Sequence, residues 1–317
     1  MNPSYSLRLG SRGSPLAMTQ SRLVASMLAR SCGESDEAFP IQSFVTSGDR
    51  IADRRLQDAG GKGLFTKELD EALLAGHIDA AIHSLKDLPT RMPDGIVLAA
   101  IPAREDPRDA FISHKARDLK SLAPGAVVGT ASLRRQAQTL HLRPDLKIVT
   151  LRGSVETRLK RLADGTVDAT FLALAGLTRL GLQQHVTSLI DSEEMPPAPG
   201  QGALAITCRA DDTATRQVLA KLSIAECEIA VAAERGFLEA LDGSCRTPIG
   251  ALARLSGGKL SLVGEVLSPD GTRRWRRSDA ITAPTMADAA ALGRKLGTTI
   301  RAEAGETFIQ RLDKRGW

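Results

Sequence analysis

Aromatic residues are scarce in this chain. Phe, Trp and Tyr make up 3% of it, too few to build a platform on which bases would stack. Basic residues never run five together, so the formal net charge of +5 offers no continuous stripe to a nucleic acid. The four cysteines (Cys32, Cys208, Cys227, Cys245) stand far apart, with no CxxC pair and no Cys/His cluster. That spacing argues against a zinc site or a disulfide framework. No apolar run approaches the ~20 residues of a membrane helix. The opening MNPSYSLRLGSRGSP has no apolar h-region, and strand-like sequence begins within a few residues of Met1. Neither a secretory signal nor a transit peptide is expected, and the expected location is the cytoplasm.

What the chain does have is enough apolar material for several cores. Its 317 residues are 42% apolar and 25% charged, which suits two or three globular domains. Arginine outnumbers lysine 31 to 11. Arginine makes planar, bidentate pairs with carboxylates and phosphates that lysine cannot make. A compositional bias in an Ala- and Gly-rich chain is the alternative account of the bulk excess.

Short strand-like runs alternate with helical ones over the first two-thirds, the pattern of α/β units around a largely parallel sheet. Strands are expected at Ser6–Gly10, Pro40–Thr46 and Asp79–His83, then at Asp109–Ser113, Ala126–Gly129, Lys147–Leu151 and Asp168–Leu172. Helices are expected from Ser14-Pro15 to Arg30, and at Leu64–Ala75, Leu133–Leu142 and Val155–Ala163. The polar stretch GDRIADRRLQDAGGKG between the second strand and second helix cannot bury an apolar face and reads as a mobile surface loop. Pro196–Ile206 is a Pro/Gly-rich crossing into another strand. Beyond helix Ala225–Leu241, the runs Pro248–Leu255, Lys259–Leu267 and Thr272–Thr282 read as a meander, with a last helix from Met286. The expected architecture is two similar α/β lobes flanking a hinged cleft, like a two-lobed solute-binding protein, plus a small α+β C-terminal domain. The expected boundaries are 1–102 plus 200–222, 103–199 and 223–317.

Four Gly- or Ser-led segments follow predicted strands: GSRGSP, HSLKDLP, GTASLRRQ and LRGSVETRL. Carboxyl ends of strands form the ligand crevice of α/β sheets, and helix N-termini favour anions there. Three of the four bring arginines, namely Arg12, Arg134 with Arg135, and Arg152 with Arg158. That repetition points to an anion-binding cleft rather than solvated charge. Asp87 in HSLKD lies just past a strand, where a carboxylate can stabilise a developing cation, although a turn aspartate would look the same. His83 reads as a buried, satisfied histidine. Cys245 in LDGSCRTPIG sits in a flexible turn beside Arg246, a setting that favours a thiolate; a free cysteine acting only as a small apolar residue is the alternative.

Taken in order, LRLGSRGSPLAMTQ, TSGDR, GGKGLFTKELDEALL, DAAIHSLKDLPT, REDPRDAF, VVGTASLRRQAQ, LRGSVETRL, LALAGLTRLGL, PAPGQGALAI and LDGSCRTPIGA resemble the porphobilinogen deaminase (hydroxymethylbilane synthase) family. The resemblance covers the chain to about Leu255 by motif and the remainder by length and position. It implies a transferase of haem and tetrapyrrole biosynthesis that joins four porphobilinogen units head to tail and releases ammonia at each step. Growth starts on a dipyrromethane cofactor held by a thioether, here to Cys245, and needs no metal. The resemblance assigns cofactor contacts to Ser84, Lys86, Ser132, Arg134, Arg135, Arg158 and Gln201. It assigns substrate contacts to Arg12, Ser14, Arg152, Arg179, Lys62 and Phe65, and the catalytic role to Asp87, which stabilises the cationic azafulvene left by ammonia loss. It also implies a lid from about Asp49 to Gly61.

Some residues depart from the family pattern: Ser244 and Arg246 beside the cysteine, Ser154 and Glu156 in the LRGSVET turn, and Asp58 in the loop. The implied partner is the small molecule porphobilinogen, with neither nucleic acid nor membrane, and the implied state is a monomer. A non-catalytic anion-binding module is the alternative from another class. It would explain the arginines but has no use for Cys245 or Asp87.

Overall fold

The computed structural model describes residues 6–50, 63–243 and 247–313. Two compact units emerge. One comprises the described residues up to Glu105 together with Ala203–Glu228; the other comprises Asp106–Gly202 and the described residues from Ile229 on.

In the first unit, strand β1 (Leu9–Arg12) leads into helix α1 (Pro15–Cys32). Ser14 starts the helix by accepting a hydrogen bond from the Ala17 N–H at 3.3 Å, Pro15 fills its first turn, and Gly33 ends it at φ 73°. Val24, Ala25, Leu28 and Ala29 on one face of α1 pack with Leu9, Ile82 and Ile206 in one core. Strand β2 (Ile41–Phe44), the short helix α2 (Ser47–Arg50), helix α3 (Lys67–Leu74), strand β3 (Ala80–Ser84) and strand β4 (Ile96–Ala100) follow. The sheet is completed by β10 (Leu204–Arg209), which inserts between β3 and β4 to give the order β2-β1-β3-β10-β4. The β1–β2 and β1–β3 pairs are parallel, whereas β10 is antiparallel to both neighbours. The expected largely parallel sheet therefore carries one reversed strand. Both β3 and β10 are buried along nearly their whole length, as strands covered on two faces are.

The second unit repeats the plan. Strands β5 (Asp109–Ser113), β6 (Val127–Gly129), β7 (Lys147–Val149), β8 (Ala169–Ala173) and β9 (Ser188–Leu189) lie in the order β7-β6-β8-β5-β9, with β5 reversed. Helices α4 (Leu133–Leu142), α5 (Val155–Ala163) and α6 (Leu174–Arg179) follow β6, β7 and β8. Phe111 and Phe171 meet edge to face in the core, with centroids 5.8 Å apart. In the first unit, α7 (Thr213–Ala220) follows β10, and Asp212 caps it through the Thr215 N–H.

Beyond helix α8 (Ala225–Ala240) lies the antiparallel meander β11 (Ile249–Ser256), β12 (Lys259–Leu267) and β13 (Arg274–Thr282), then α9 (Met286–Ala304) and α10 (Glu306–Asp313). Its own core gathers Phe237, Leu260, Leu262, Val266, Leu292, Leu296 and Ile300. Helices α8 and α9 approach through glycine: a Cβ built on Gly293 would stand 2.0 Å from the Ala233 carbonyl oxygen. Gly293→Ala is therefore expected to cost about 1–3 kcal/mol despite alanine's better helix propensity. Urea denaturation of the variant measures this, and an unchanged midpoint would show that the helices part freely. The α+β segment is also tied to the α/β part of its unit, since the Ala251 N–H donates to Pro197 O at 2.9 Å and the Gly200 N–H to the buried Glu234 at 2.6 Å. Among the described residues no helix is long and apolar enough to cross a membrane.

Candidate functional site

Parallel pairing puts the carboxyl ends of β1 and β3 at one edge of the first sheet. Arg12 closes β1. Its guanidinium pairs with the Asp49 carboxylate and lies 4.2 Å from the centroid of the Phe65 ring. Asp49 on α2 also accepts from Thr46 Oγ1 at 2.7 Å. Burial raises the Asp49 pKa, but Arg12 and Thr46 outweigh it and hold the carboxyl below its usual value. Gly48 makes the contact with Phe65 possible, because a Cβ there would come within 2.3 Å of the ring.

Ser84 ends β3 and accepts from the buried Gln20 Nε2 at 3.1 Å. A 3-10 turn, Leu85–Asp87, follows at once and is fastened by the Leu85 N–H to Ala203 O at 3.0 Å. Lys86 and Asp87 are half-buried on this turn. No hydrogen bond or ion pair engages the Asp87 carboxylate among the described residues. His83 points inward to Thr207 Oγ1 at 3.2 Å. Burial first, and the Arg12 charge second, push it down to about 4, so it is a neutral core histidine near pH 7.

The second sheet presents its strand ends in the same manner, but its first carboxylate is internal. Asp109 opens β5 opposite Ala173 at the end of β8 and is fully buried. Ser132 caps α4 by accepting from the Arg135 N–H, which sets two arginines in the helix's first turn. Arg134 Nη1 donates to Asp109 Oδ2 at 2.8 Å, Arg135 Nη2 to Asp109 Oδ1 at 2.7 Å, and Gln201 Nε2 to the same Oδ1 at 2.8 Å. Burial pushes the Asp109 carboxyl up, yet the two guanidiniums overcome this and hold it far below the usual carboxylate range. Three residues expected to face a ligand are thus gathered on an aspartate that the sequence reading did not single out. Its signal was a carboxylate opening the otherwise apolar run DAFIS, a charge that needs cationic partners once buried.

Ser154 caps α5, and Arg158 Nε donates to Gly153 O at 2.9 Å. Burial, then the like charges of Arg135 and Arg152, push Arg158 down to about 10. Arg158 is thus a buried cation with like charges near it, the setting in which a carboxylate partner would favour its charged form. Arg179 Nη2 donates to Gly202 O at 2.7 Å. Cys245 and Lys62 lie outside the described residues, as do Asp58, Ser244, Arg246 and most of the expected lid; the part of it from Asp49 to Arg50 belongs to α2. Among the described cysteines, Cys208 is buried, and burial pushes its thiol up to about 11, a poor nucleophile.

Each of the two mixed α/β sheets therefore carries arginine at or just after its strand ends, and the first carries Asp87 on the turn after β3 as well, a residue set able to bind carboxylates. Relatives narrow the class. Residues 7–217 match the family model of the porphobilinogen deaminase dipyrromethane cofactor binding domain, and residues 228–302 match that of the porphobilinogen deaminase C-terminal domain. The chain belongs to the porphobilinogen deaminase family. It is 54% identical to porphobilinogen deaminase of Caulobacter vibrioides, over 96% of this chain and 97% of that one. It is 52% identical to the Phenylobacterium zucineum protein of that name (96% and 98%) and 51% identical to that of Nitrobacter hamburgensis (95% and 94%). Among solved structures it is similar to the methionine-binding protein MetQ at 14% identity and TM-score 0.44, over 68% of this chain and 89% of that one. A periplasmic substrate-binding protein from Coxiella burnetii is 19% identical at TM-score 0.42, over 68% and 91%.

Proposed function

We propose that this chain is a hydroxymethylbilane synthase that condenses four porphobilinogen units head to tail, releasing ammonia at each step, on a dipyrromethane cofactor anchored to Cys245. The observation that carries this reading is the family match over 7–217 and 228–302. The burial of Arg158 close to the charges of Arg135 and Arg152 adds support, because each pyrrole bears an acetate and a propionate that would favour its charged form.

Arg134, Arg135, Arg158, Ser132, Ser84, Lys86 and Gln201 hold the cofactor. Arg12, Ser14, Arg152, Arg179, Lys62 and Phe65 hold incoming substrate. The cofactor supplies the pyrrole position to which the first substrate is joined. Asp87 has the catalytic role: its carboxylate accepts from the substrate pyrrole N–H and stabilises the positive charge that grows as ammonia leaves. Arg12 exchanges its bond to Asp49 for a substrate carboxylate, with Phe65 keeping the guanidinium in place. The reading includes a monomeric cytoplasmic enzyme without nucleic-acid or membrane partners.

Intact mass tests the anchor. Protein from cells making porphobilinogen is expected to exceed its sequence mass by two linked pyrrole units, and Cys245→Ser is expected to lack the excess. An unmodified wild-type chain that gains no mass from added porphobilinogen would leave only an anion-binding module.

A further inference from the structure

Buried carboxylates are rare unless paired, and the second unit holds one away from the strand ends. Glu265, on the middle strand β12 of the meander, is 0% exposed. Its Oε2 accepts from Arg274 Nε at 2.9 Å and Nη2 at 2.8 Å. That pair alone would satisfy the charge. Its Oε1, however, accepts from Gln138 Nε2 at 2.7 Å, and Gln138 lies on α4 one turn after Arg134. The same Nε2 donates to Pro196 O at 2.9 Å. With both amide hydrogens engaged, the Gln138 oxygen turns to Arg134 and accepts from Nη1 at 2.9 Å. Nη1 in turn donates to Asp109, whose other oxygen takes Arg135 and Gln201.

A primary amide can be turned over with almost no change of shape, so its neighbours decide which end faces where. A carboxylate only accepts. Glu265 therefore admits the NH₂ end of Gln138 and leaves the carbonyl end to the guanidinium. We propose that Glu265 is a positioning residue for the carboxylate-binding arginines: through Gln138 it fixes Arg134, and with it the Asp109-centred group that includes Arg135 and Gln201. Its charge also works against the burial that disfavours a protonated Arg134. A strand of the C-terminal sheet thus reaches the cofactor chemistry through one side chain. The inference rests on the reading of Arg134 and Arg135 as cofactor contacts.

Chain made in cells unable to synthesise porphobilinogen is given porphobilinogen, and the mass gain of cofactor attachment is followed with time. Thermal unfolding is recorded for every variant. Glu265→Gln keeps the shape but removes the charged one of the two acceptors that hold the Gln138 NH₂ end, leaving Pro196 O alone, and is expected to slow the mass gain about tenfold. Gln138→Met is expected to slow it equally, and the double variant no further, because both break one link. It also provides the test should Glu265→Gln fail to fold. Arg274→Met removes the nearer of the two arginines on Glu265, leaving Arg276 Nη1 at 3.7 Å, and keeps the link to Gln138, so it should unfold at lower temperature yet load at the wild-type rate. Wild-type loading by Glu265→Gln and Gln138→Met, with slow loading by Arg135→Leu, would make Glu265 a structural charge only. A defect in Arg274→Met equal to that of Glu265→Gln would overturn the proposal too, since loss of the ion pair would explain both. If Arg135→Leu itself loads at the wild-type rate, the arginine reading fails and takes the proposal with it.

Discussion

Asp87→Asn is expected to lower porphobilinogen turnover by about 10²–10³-fold while leaving the folded state intact. The side chain is half-buried at the end of β3, and among the described residues nothing else leans on its carboxylate. Asparagine fills the same space and keeps one acceptor oxygen. What it loses is the negative charge, which matters only as positive charge develops on the substrate. The loss should therefore appear in kcat and kcat/KM together, with little change in KM. Substrate consumption and a thermal melt on the same preparation check it. A variant turning over at near the wild-type rate would remove Asp87 from the mechanism, whereas a collapsed melt would make it a structural residue.

The second large effect is one of stability. Asp109→Asn leaves two buried guanidiniums facing an uncharged amide, and losing one partner of such a group costs about 3–5 kcal/mol. The pH dependence has a definite sign. The Asp109 carboxyl is held far below its usual value in the folded chain. Its contribution is therefore complete above the unfolded-state pKa of about 3.9 and drains away as the pH falls below that value toward the folded one. The wild type should lose stability steeply below about pH 4, and Asp109→Asn, weaker at pH 7, should lose less over the same range. Urea unfolding at pH 7 and across the acid range measures both. Equal stability of the two proteins at pH 7 would mean that the arginines find other partners.

Local chemistry decided what could be read in advance. Helices α4 and α5 were legible to their ends because Ser132 and Ser154 announce their caps, and β12 because glycines 257 and 258 make the turn before it. Strand β4 went unread, being five apolar residues without alternation between a Pro-Asp-Gly turn and Ile101-Pro102. Helix α7 went unread because Val218 and Leu219, adjacent near its end, are its large apolar residues and mark no face. The direction of β10 was not readable either, since a Pro/Gly crossing signals a turn and not the edge from which a strand enters. The arginines were legible as a set. Their grip on Asp109 was not, because DAFIS signals only that a buried carboxylate needs cations, and a partner 25 positions away, as Arg134 is, cannot be named from the local sequence.

The late arrival of β10 has a consequence for how the chain is made. Strands β3 and β4 emerge from the ribosome well before the strand that separates them, with the sheet of the second unit synthesised in between. At about 5–20 residues per second, the facing edges of β3 and β4 wait on the order of 5–20 s, unpaired and apolar, for Leu204–Arg209 to appear. An edge left open for so long is a template for a wrong partner. The sheet of the first unit thus stays open to wrong pairing until its keystone strand is in place, and fast elongation at low chain concentration favours its correct closure, whereas the C-terminal meander, built of adjacent hairpins, can close as it emerges.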